Sequence, residues 1–387
     1  MPLPASSYLN CGNSHKNPRL SGRRTGSFFF LTLLFLCACQ KPRPTLKPDA
    51  AAIHNITREL AAAAKESTPA GTVVRMKMQA SQKEPNLPDW LEIILFTEAP
   101  AADKKEELES VVGALEGVAV RHKLQAGKRN DKEEYTSISF HSGSRTTQSV
   151  KIRFVHKPRE QNEGLNEDAP KLAIILDDFG SERPAAETVF GMQCPLTISI
   201  LPNHEHSKEI AEEALQRGYQ VMLHLPMQSV ANESPEKEEL KSGMTSQQVQ
   251  TMVGEMIESV PNAVGVNNHQ GSQATSDPVL MGELMPALRN WNLFYVDSRT
   301  TAATVAFDAA KRDGVPAAFR NVPFLDDVQD AAAIRKQLEF ALRGAKEKKA
   351  AIAIGHPHPE TLKALQEFLP TARAKGVRLV FASELVH

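Results

Sequence analysis

The feature that most constrains the fold of this chain is a regular alternation of short apolar runs and amphipathic helical patterns after Lys171. Between the runs, segments such as 249–260 repeat apolar residues at the i, i+3, i+4, i+7 spacing of one helix face. The first run is continuously apolar, as expected for a strand that is buried on both faces. The runs are Leu172–Leu176, Leu196–Leu201, Val221–Leu223, Ala263–Val266, Leu293–Val296, Ala317–Phe319, Ala351–Ile354 and Val377–Phe381. Strand–helix repetition predicts an α/β fold with a parallel sheet, and seven or eight units favour a (β/α) barrel, complete or incomplete, over an open sheet.

A second, smaller domain is expected before the barrel, because 387 residues exceed what one domain needs. Residues 49–157 show a modest α+β pattern that contains no evident chemical constellation, and we assign them no role. The pattern predicts helices at Ala51–Lys65 and Lys104–Leu115, and strands at Thr72–Met78, Trp90–Phe96, Ser137–His141 and Ser149–Val155. Residues 158–171 are charged, include two prolines and lack apolar periodicity, which predicts a linker. The barrel is therefore expected over residues 172–387 and is expected to fold on its own.

The N-terminus has the pattern of a secretory signal. Basic residues precede an apolar stretch, Phe28–Cys39, that is too short for a bilayer span of ~20 residues. The end of the stretch, Leu36–Cys39, resembles a bacterial lipobox, in which the last Cys is diacylated; ordinary signal cleavage is the alternative. We expect removal of residues 1–38, lipid on Cys39, and a tether over residues 39–48. The expected location is the bacterial cell envelope, as a periplasm-facing lipoprotein, and Gln40 in place of an inner-membrane retention Asp leaves the outer membrane open as its destination.

Charge and cysteine content exclude several classes of function. Lys and Arg number 45 against 46 Asp and Glu, so the chain lacks the basic surplus typical of nucleic-acid binding, and we expect no nucleic-acid partner. Of the four Cys, only Cys194 lies beyond the first forty residues. One thiol forms neither an intrachain disulfide nor a Cys-based zinc site. A metal in the barrel must therefore be held by His and carboxylate side chains.

Polar residues follow the apolar runs at the point where each predicted strand ends. In a parallel barrel all these ends open on one face, where active sites are built. One such Asp or His is usually a helix cap or a turn residue, but several on one face indicate a site. The residues in question are Asp177, Asp178, His224, His269, Asp297, Arg320 and His356. Asp and His together in one barrel mouth favour a metal site with oxygen and imidazole ligands.

Five segments carry a family resemblance: LDDFG, RGYQVMLHLPMQ, GVNNHQGS, FYVDSRT and IGHPHPET. Together they resemble the divergent polysaccharide deacetylases, a distant branch of the NodB-like carbohydrate deacetylases, over residues 170–387. The resemblance implies metal-dependent hydrolysis of N-acetyl groups on a polysaccharide or peptidoglycan-type glycan. It also implies that Asp177 is the catalytic base, that Asp178 and His224 bind the metal, and that His356 is a catalytic His.

The chain departs from the superfamily pattern at the second metal His. That His is expected four residues after His224, where this chain has Gln228, and the Arg-Pro-Pro-Tyr segment of the superfamily is replaced by Asn267-Asn268-His269. We expect His269 to supply the missing ligand, so that Asp178, His224 and His269 hold a divalent metal, Zn²⁺ being the first choice. The alternative is that His269 only braces a tight loop.

The remaining polar residues at the predicted mouth, Asn268, Asp297 and Arg320, are expected to contact substrate. Two functions from different classes stay open at this point. One is a carbohydrate deacetylase, that is, a metal-dependent amidase. The other is a catalytically silent barrel that binds glycan or an envelope partner, with Gln228 as the mark of lost chemistry.

Overall fold

The structure, a computed structural model, describes residues 49–69, 72–79, 84, 86–97, 101–132, 135–156, 165–166, 168–231 and 235–387. The predicted signal sequence, the lipidation at Cys39 and the tether lie outside the described residues, as does part of the predicted linker. Within the described ranges, none of the helices combines the length and apolarity that a membrane span needs.

The first described region is an α+β layer in which two helices cover one face of a mixed sheet. Its elements are α1 Ala50–Glu66, β1 Val73–Lys77, β2 Asp89–Thr97, α2 Ala101–Arg121, β3 Gln125–Ala126, β4 Asn130–Asp131, β5 Thr136–Ser142 and β6 Arg145–His156. The strand order is β1-β2-β6-β5-β3, with β4 on β5, and β2 runs parallel to β6. Helix α1 begins where the Asp49 carboxylate accepts a hydrogen bond from the Ala52 amide. Both predicted helices and all four predicted strands are confirmed, and the two-residue strands β3 and β4 are additional.

The second region repeats strand and helix from Lys171 to the C-terminus. Its strands are β7 Lys171–Phe179, β8 Thr197–Ile200, β9 Gln220–Met227, β10 Ala263–Gln270, β11 Phe294–Asp297, β12 Ala317–Phe319, β13 Ala350–Gly355 and β14 Arg378–Val380. Its helices are α3 Pro184–Phe190, α4 Ser207–Gln216, α5 Ser246–Ser259, α6 Pro278–Asn290, α7 Ala306–Arg312, α8 Ala331–Lys348 and α9 Pro359–Ala372. Each of the eight predicted apolar runs contributes a strand, which confirms the βα repetition.

Seven parallel strands form the wall of a nearly closed barrel, in the order β12-β11-β10-β9-β8-β7-β13. Strand β13 pairs with one edge of β7, and the other edge of β7 is shared by two strands. Strand β14 pairs with the first three residues of β7, and β8 pairs with β7 from Ile175 onward. Between β12 and β13 the described residues form no strand pairing. The segment after β12 bridges this gap, because the Asn321 amide donates to the Ile352 carbonyl and the Leu325 amide to the Ile354 carbonyl. The expected barrel is confirmed in its incomplete form.

Alternation along β7 divides the apolar side chains between two cores. Leu172 and Ile174 pack in a large cluster with the helices, whereas Ala173 and Ile175 belong to a cluster of strand residues in the barrel interior. Ile94 of the α+β region joins this inner cluster. The described parts of both regions therefore belong to one compact unit.

The α+β region contacts the barrel at the end where the strands begin. The Asn292 side chain, two residues before β11, donates to the Val74 carbonyl of β1, and Arg153 of β6 donates to the Asn262 side chain before β10. The opposite end of the barrel, where the parallel strands end, carries the predicted polar residues.

Candidate metal centre at the barrel mouth

One layer of inward-facing side chains near the barrel mouth is polar. Asp177 continues the inward row of Ala173 and Ile175 on β7, and His224 follows Met222 in the same way on β9. Ser199 of β8 and Asn267 of β10 complete the layer, which is buried. The sequence predicted that His224 follows its strand. Strand β9 extends to Met227, so His224 lies within the strand instead. Polar inward residues thus replace the apolar core where the barrel opens.

A bulge in β7 brings Asp178 into the mouth. The register with β8 shifts between Leu176 and Phe179, and Asp178 has a φ of 60°, in the left-handed region. Gly180 follows with a φ of 131°, and a Cβ there would lie 2.8 Å from the Ser207 hydroxyl. Only glycine fits this close approach. The bulge therefore allows neighbouring aspartates to serve the same site from different directions.

The three predicted metal ligands converge on one point. Asp178 Oδ1 lies 3.1 Å from His224 Nε2 and 3.0 Å from His269 Nδ1. The two nitrogens are 3.1 Å apart. Asp178 Oδ1 is buried and makes no hydrogen bond of acceptable geometry. A carboxylate oxygen that faces two imidazole nitrogens without a well-aligned hydrogen bond offers, together with them, three ligand atoms for a cation at the convergence point.

The chemistry of this donor set fits zinc. One carboxylate and two imidazoles are three protein ligands, which leaves an open position of the kind found in catalytic zinc sites. Burial opposes ionisation of Asp178, but the adjacent His224 and His269 outweigh it and hold the pKa of Asp178 below its ordinary range, so the carboxylate is ionised as a ligand must be. Gln228, which occupies the position of the missing His, uses its side-chain oxygen to accept from the Ser242 amide at 3.2 Å.

Asp177 and His224 lie deep in the site and influence each other. Asp177 is 1% exposed, and burial raises its pKa although His224 and His356 act in the opposite direction. Burial would lower the pKa of His224, but the charges of Asp177 and Asp178 outweigh it and raise that pKa. The Asp177 carboxylate accepts a hydrogen bond from the side-chain amide of Asn267 at 2.8 Å. Asn267, which sequence reasoning did not select, therefore contacts the predicted base directly.

His356 lies on the other side of the centre and is held by a second carboxylate. Its Nδ1 donates to Asp326 Oδ1 at 2.9 Å, and its backbone amide donates to Asp326 Oδ2 at 2.6 Å. Its Nε2 lies 3.9 Å from Asp178 Oδ2. Burial would lower the pKa of His356, but Asp326, with Asp177 and Asp178, raises it to about 9. Sequence reasoning also missed Asp326, which lies in the loop between β12 and α8 rather than directly after a strand.

The centre forms the floor of an open cleft with a volume of about 360 Å³. The lining residues are Asp177, His224, Ser229, Ala231, Asn268, His269, Gln270, Ser272, Thr300, Phe324 and His356. A neighbouring cleft of about 480 Å³, between His204 and Glu236, contains none of the predicted metal ligands. The larger cleft also has an imidazole beside a carboxylate, but His204 and Glu236 form a pair with each other at 3.0 Å. The chemistry favours the smaller cleft, because two imidazoles and a carboxylate oxygen converge at its floor.

The three expected substrate contacts have structural partners instead. Asp297 is fully buried and accepts from the Arg299 amide and the Thr304 hydroxyl, each at 2.8 Å. Arg320 donates to the backbone carbonyls of residues 298 and 299. The Asn268 side chain accepts from the Tyr295 hydroxyl at 3.0 Å and donates to the Gln270 carbonyl at 2.8 Å. Neither Asp297 nor Arg320 lines the cleft, and substrate contact by these three residues stays a prediction that this geometry does not favour.

Comparison with known proteins agrees with the segments that carry the family resemblance. Residues 174–386 match the model of the family described as divergent polysaccharide deacetylase. The chain belongs to this family. Two curated members of similar sequence are the Escherichia coli (strain K12) protein YibQ, 38% identical over 219 residues, and a Haemophilus influenzae protein, 39% identical over 196 residues. The matches cover 57% and 51% of this chain and 68% and 70% of those proteins.

A solved structure supports the fold of the family region. The crystal structure of a protein from Agrobacterium tumefaciens C58 aligns with a TM-score of 0.54 at 19% identity, over 56% of this chain and 89% of that chain. At this identity the likeness concerns the fold alone.

Proposed function

We propose that this divergent polysaccharide deacetylase is a metal-dependent amidase that removes N-acetyl groups from a glycan of the cell envelope. The observation that carries the proposal is the convergence of Asp178, His224 and His269 on a buried carboxylate oxygen that lacks a hydrogen bond. Asp177 and His356 flank this point from the floor of an open cleft. The family description supports a polysaccharide substrate and, with it, action outside the cytoplasm.

Zinc held by Asp178, His224 and His269 would supply Lewis acidity, which polarises the amide carbonyl and lowers the pKa of water. The role of Asp177 is to accept a proton from the attacking water through its carboxylate. Its burial next to two imidazoles keeps competing solvent away, and the Asn267 amide holds the carboxylate in place. Asp177 therefore has the position and the hydrogen bonding of a general base.

His356 is suited to the opposite proton transfer. With a pKa of about 9 it carries a proton at neutral pH, and Nδ1 is engaged by Asp326, so Nε2 is the nitrogen that can donate. Nε2 is also the nitrogen near the Asp178 carboxylate. A proton given from Nε2 to the amine nitrogen makes that amine a better leaving group. The acid and the base thus have separate hydrogen-bond partners, Asp326 and Asn267.

A catalytically silent barrel that binds glycan is the competing proposal, since Gln228 replaces a metal His of the wider superfamily. The test measures acetate released from chitin oligomers and from peptidoglycan by zinc-loaded protein, together with the zinc content. We expect stoichiometric zinc and acetate release, and a loss of about 10²–10⁴-fold for the nearly isosteric Asp177→Asn. Zinc binding without acetate from either glycan would instead support the silent barrel.

The targeting proposal concerns residues outside the described ranges. We propose that residues 1–38 are removed, that Cys39 carries lipid, and that residues 39–48 tether the protein to an envelope membrane. The basic residues before Phe28–Cys39 and the Leu36–Cys39 pattern support it. Such an anchor would restrict the barrel mouth to substrate within reach of the membrane surface. We also propose the division into a domain over 49–157, a linker over 158–171 and a barrel over 172–387.

A further inference from the structure

The side-chain amide of Asn267 connects three elements of the polar layer. Asn267 is fully buried, and its carbonyl oxygen lies 3.0 Å from His224 Nδ1 and accepts from the Ser199 hydroxyl. Its amide nitrogen donates to Asp177 Oδ1 at 2.8 Å and to the Ser298 hydroxyl at 3.3 Å. All four hydrogen-bonding directions of the amide are thus used.

Only one orientation of this amide satisfies its neighbours. Asp177 Oδ1 lies 2.8 Å from the amide nitrogen and accepts its hydrogen bond, which places the nitrogen on the Asp177 side. The carbonyl oxygen then faces His224 and can only accept from it. The hydroxyls of Ser199 and Ser298 donate or accept as needed, so they do not decide the orientation. A flipped amide would place its oxygen against the Asp177 carboxylate and its NH₂ group against His224 Nδ1.

The orientation has a consequence for the proton on His224. Because the Asn267 oxygen faces Nδ1, a neutral His224 ring carries its hydrogen on Nδ1. Nε2 then has a free lone pair, and Nε2 is the nitrogen that lies 3.1 Å from both Asp178 Oδ1 and His269 Nδ1. A metal-binding imidazole needs this arrangement, with one nitrogen free for the metal and the other fixed by a hydrogen bond.

We propose that Asn267 is a positioning residue that selects the metal-binding tautomer of His224. Its hydrogen bond to Asp177 fixes the orientation of the side-chain amide, and the amide oxygen then fixes the hydrogen of His224 on Nδ1. The metal-binding part rests on the proposed function, whereas the tautomer part concerns the protein without metal. Asn267 thereby links the Asp177 carboxylate to the free nitrogen of His224 through one buried amide.

The first test needs no variant. Proton–nitrogen correlation NMR of the histidine rings in zinc-free protein, at alkaline pH where His224 is neutral, shows which ring nitrogen carries the hydrogen. We expect the hydrogen of His224 on Nδ1. A hydrogen on Nε2 would overturn the proposal, and this result is independent of whether the protein binds zinc or hydrolyses any glycan.

The second test measures zinc affinity by competition with a chelator. Asn267→Ala should weaken zinc binding by about 10–100-fold, the usual effect of removing a group that orients a ligand. Ser298→Ala removes only the longest of the four contacts and should bind zinc like the wild type.

Circular dichroism and thermal unfolding identify variants that do not fold, and for these the NMR result on the wild type decides. Folded Asn267→Ala with unchanged zinc affinity would contradict the proposal. Wild-type protein that binds no zinc would instead contradict the proposed metal centre, while the tautomer measurement would still decide the role of Asn267.

Discussion

The replacement of Asp326 by Asn tests how His356 is kept protonated. Asp326 makes the strongest of the interactions that raise the pKa of His356 to about 9, through a contact of 2.9 Å. Asn keeps the size and an acceptor oxygen but removes the charge. Burial then opposes the protonated ring with only the Asp177 and Asp178 charges against it, so the pKa of His356 should fall from about 9 towards the ordinary range of a His side chain.

The expected change in activity follows from the role of His356 as an acid. Activity is lost as the pH rises through the pKa of the acid, so the alkaline limb of kcat/KM should move to lower pH in Asp326→Asn. The assay is the pH dependence of kcat/KM for acetate release. Asp327→Asn is the matched control, because it removes the same charge from the same loop but at an exposed position.

Stability should change with pH in the same variant. The pKa of His356 in the folded protein is raised above its unfolded value of ~6.5, so the pair stabilises the fold fully below that pH and loses its effect as pH rises through about 9. The difference between the folded and unfolded pKa of His356 corresponds to at most about 3 kcal/mol of folding stability. The free energy of unfolding of Asp326→Asn should therefore fall furthest behind the wild type near pH 6, with a smaller gap near pH 10. A folded variant whose alkaline limb stays in place would refute the assignment of His356 as the acid held by Asp326.

Three further predictions concern the ligands, the inner core and the N-terminus. His269→Ala should lose tight zinc binding in a chelator competition, while Gln228→Ala should keep it; the reverse order would show that the third ligand was wrongly chosen. Ile94→Ala should destabilise the chain by about 2–5 kcal/mol, since Ile94 packs in the barrel's inner cluster. For the same reason urea unfolding followed by barrel and α+β probes should show one shared transition, contrary to the independent folding of the barrel expected from the sequence; unchanged barrel stability in the variant would instead support independent folding. Mass spectrometry of the mature N-terminus should find lipid on Cys39, and an unmodified Cys39 would refute that proposal.

The barrel could be predicted from sequence because its strands are buried on both faces. Such strands leave short apolar runs, and all eight were visible. The strand ends were less accurate, since β9 and β10 continue for several residues beyond the predicted apolar runs. There the inward side chains are His224 and Asn267, whose polarity interrupts the apolar pattern at the place where the site is built. The polar residues of the site thus make the ends of these strands hard to recognise in the sequence.

The sequence did not show which face of its strand Asp297 occupies, nor that Asp326 contacts His356 from a loop. Asp297 ends β11 on the same face as Tyr295, which packs with the helices, whereas Phe294 and Val296 face the interior. A position at a strand end therefore does not tell whether a side chain enters the mouth. Asp326 reaches His356 from a loop after β12, and no periodic pattern in the sequence predicts such a contact.

The most direct test of the metal centre is X-ray absorption spectroscopy of the zinc-loaded full chain. We predict one zinc bound by oxygen and nitrogen at about 2.0–2.2 Å, with two imidazoles and no sulfur. In His269→Ala the imidazole contribution should fall to a single ring or the zinc should be lost. Wild-type protein that retains no zinc, or a wild-type spectrum that contains only one imidazole, would contradict the centre formed by Asp178, His224 and His269.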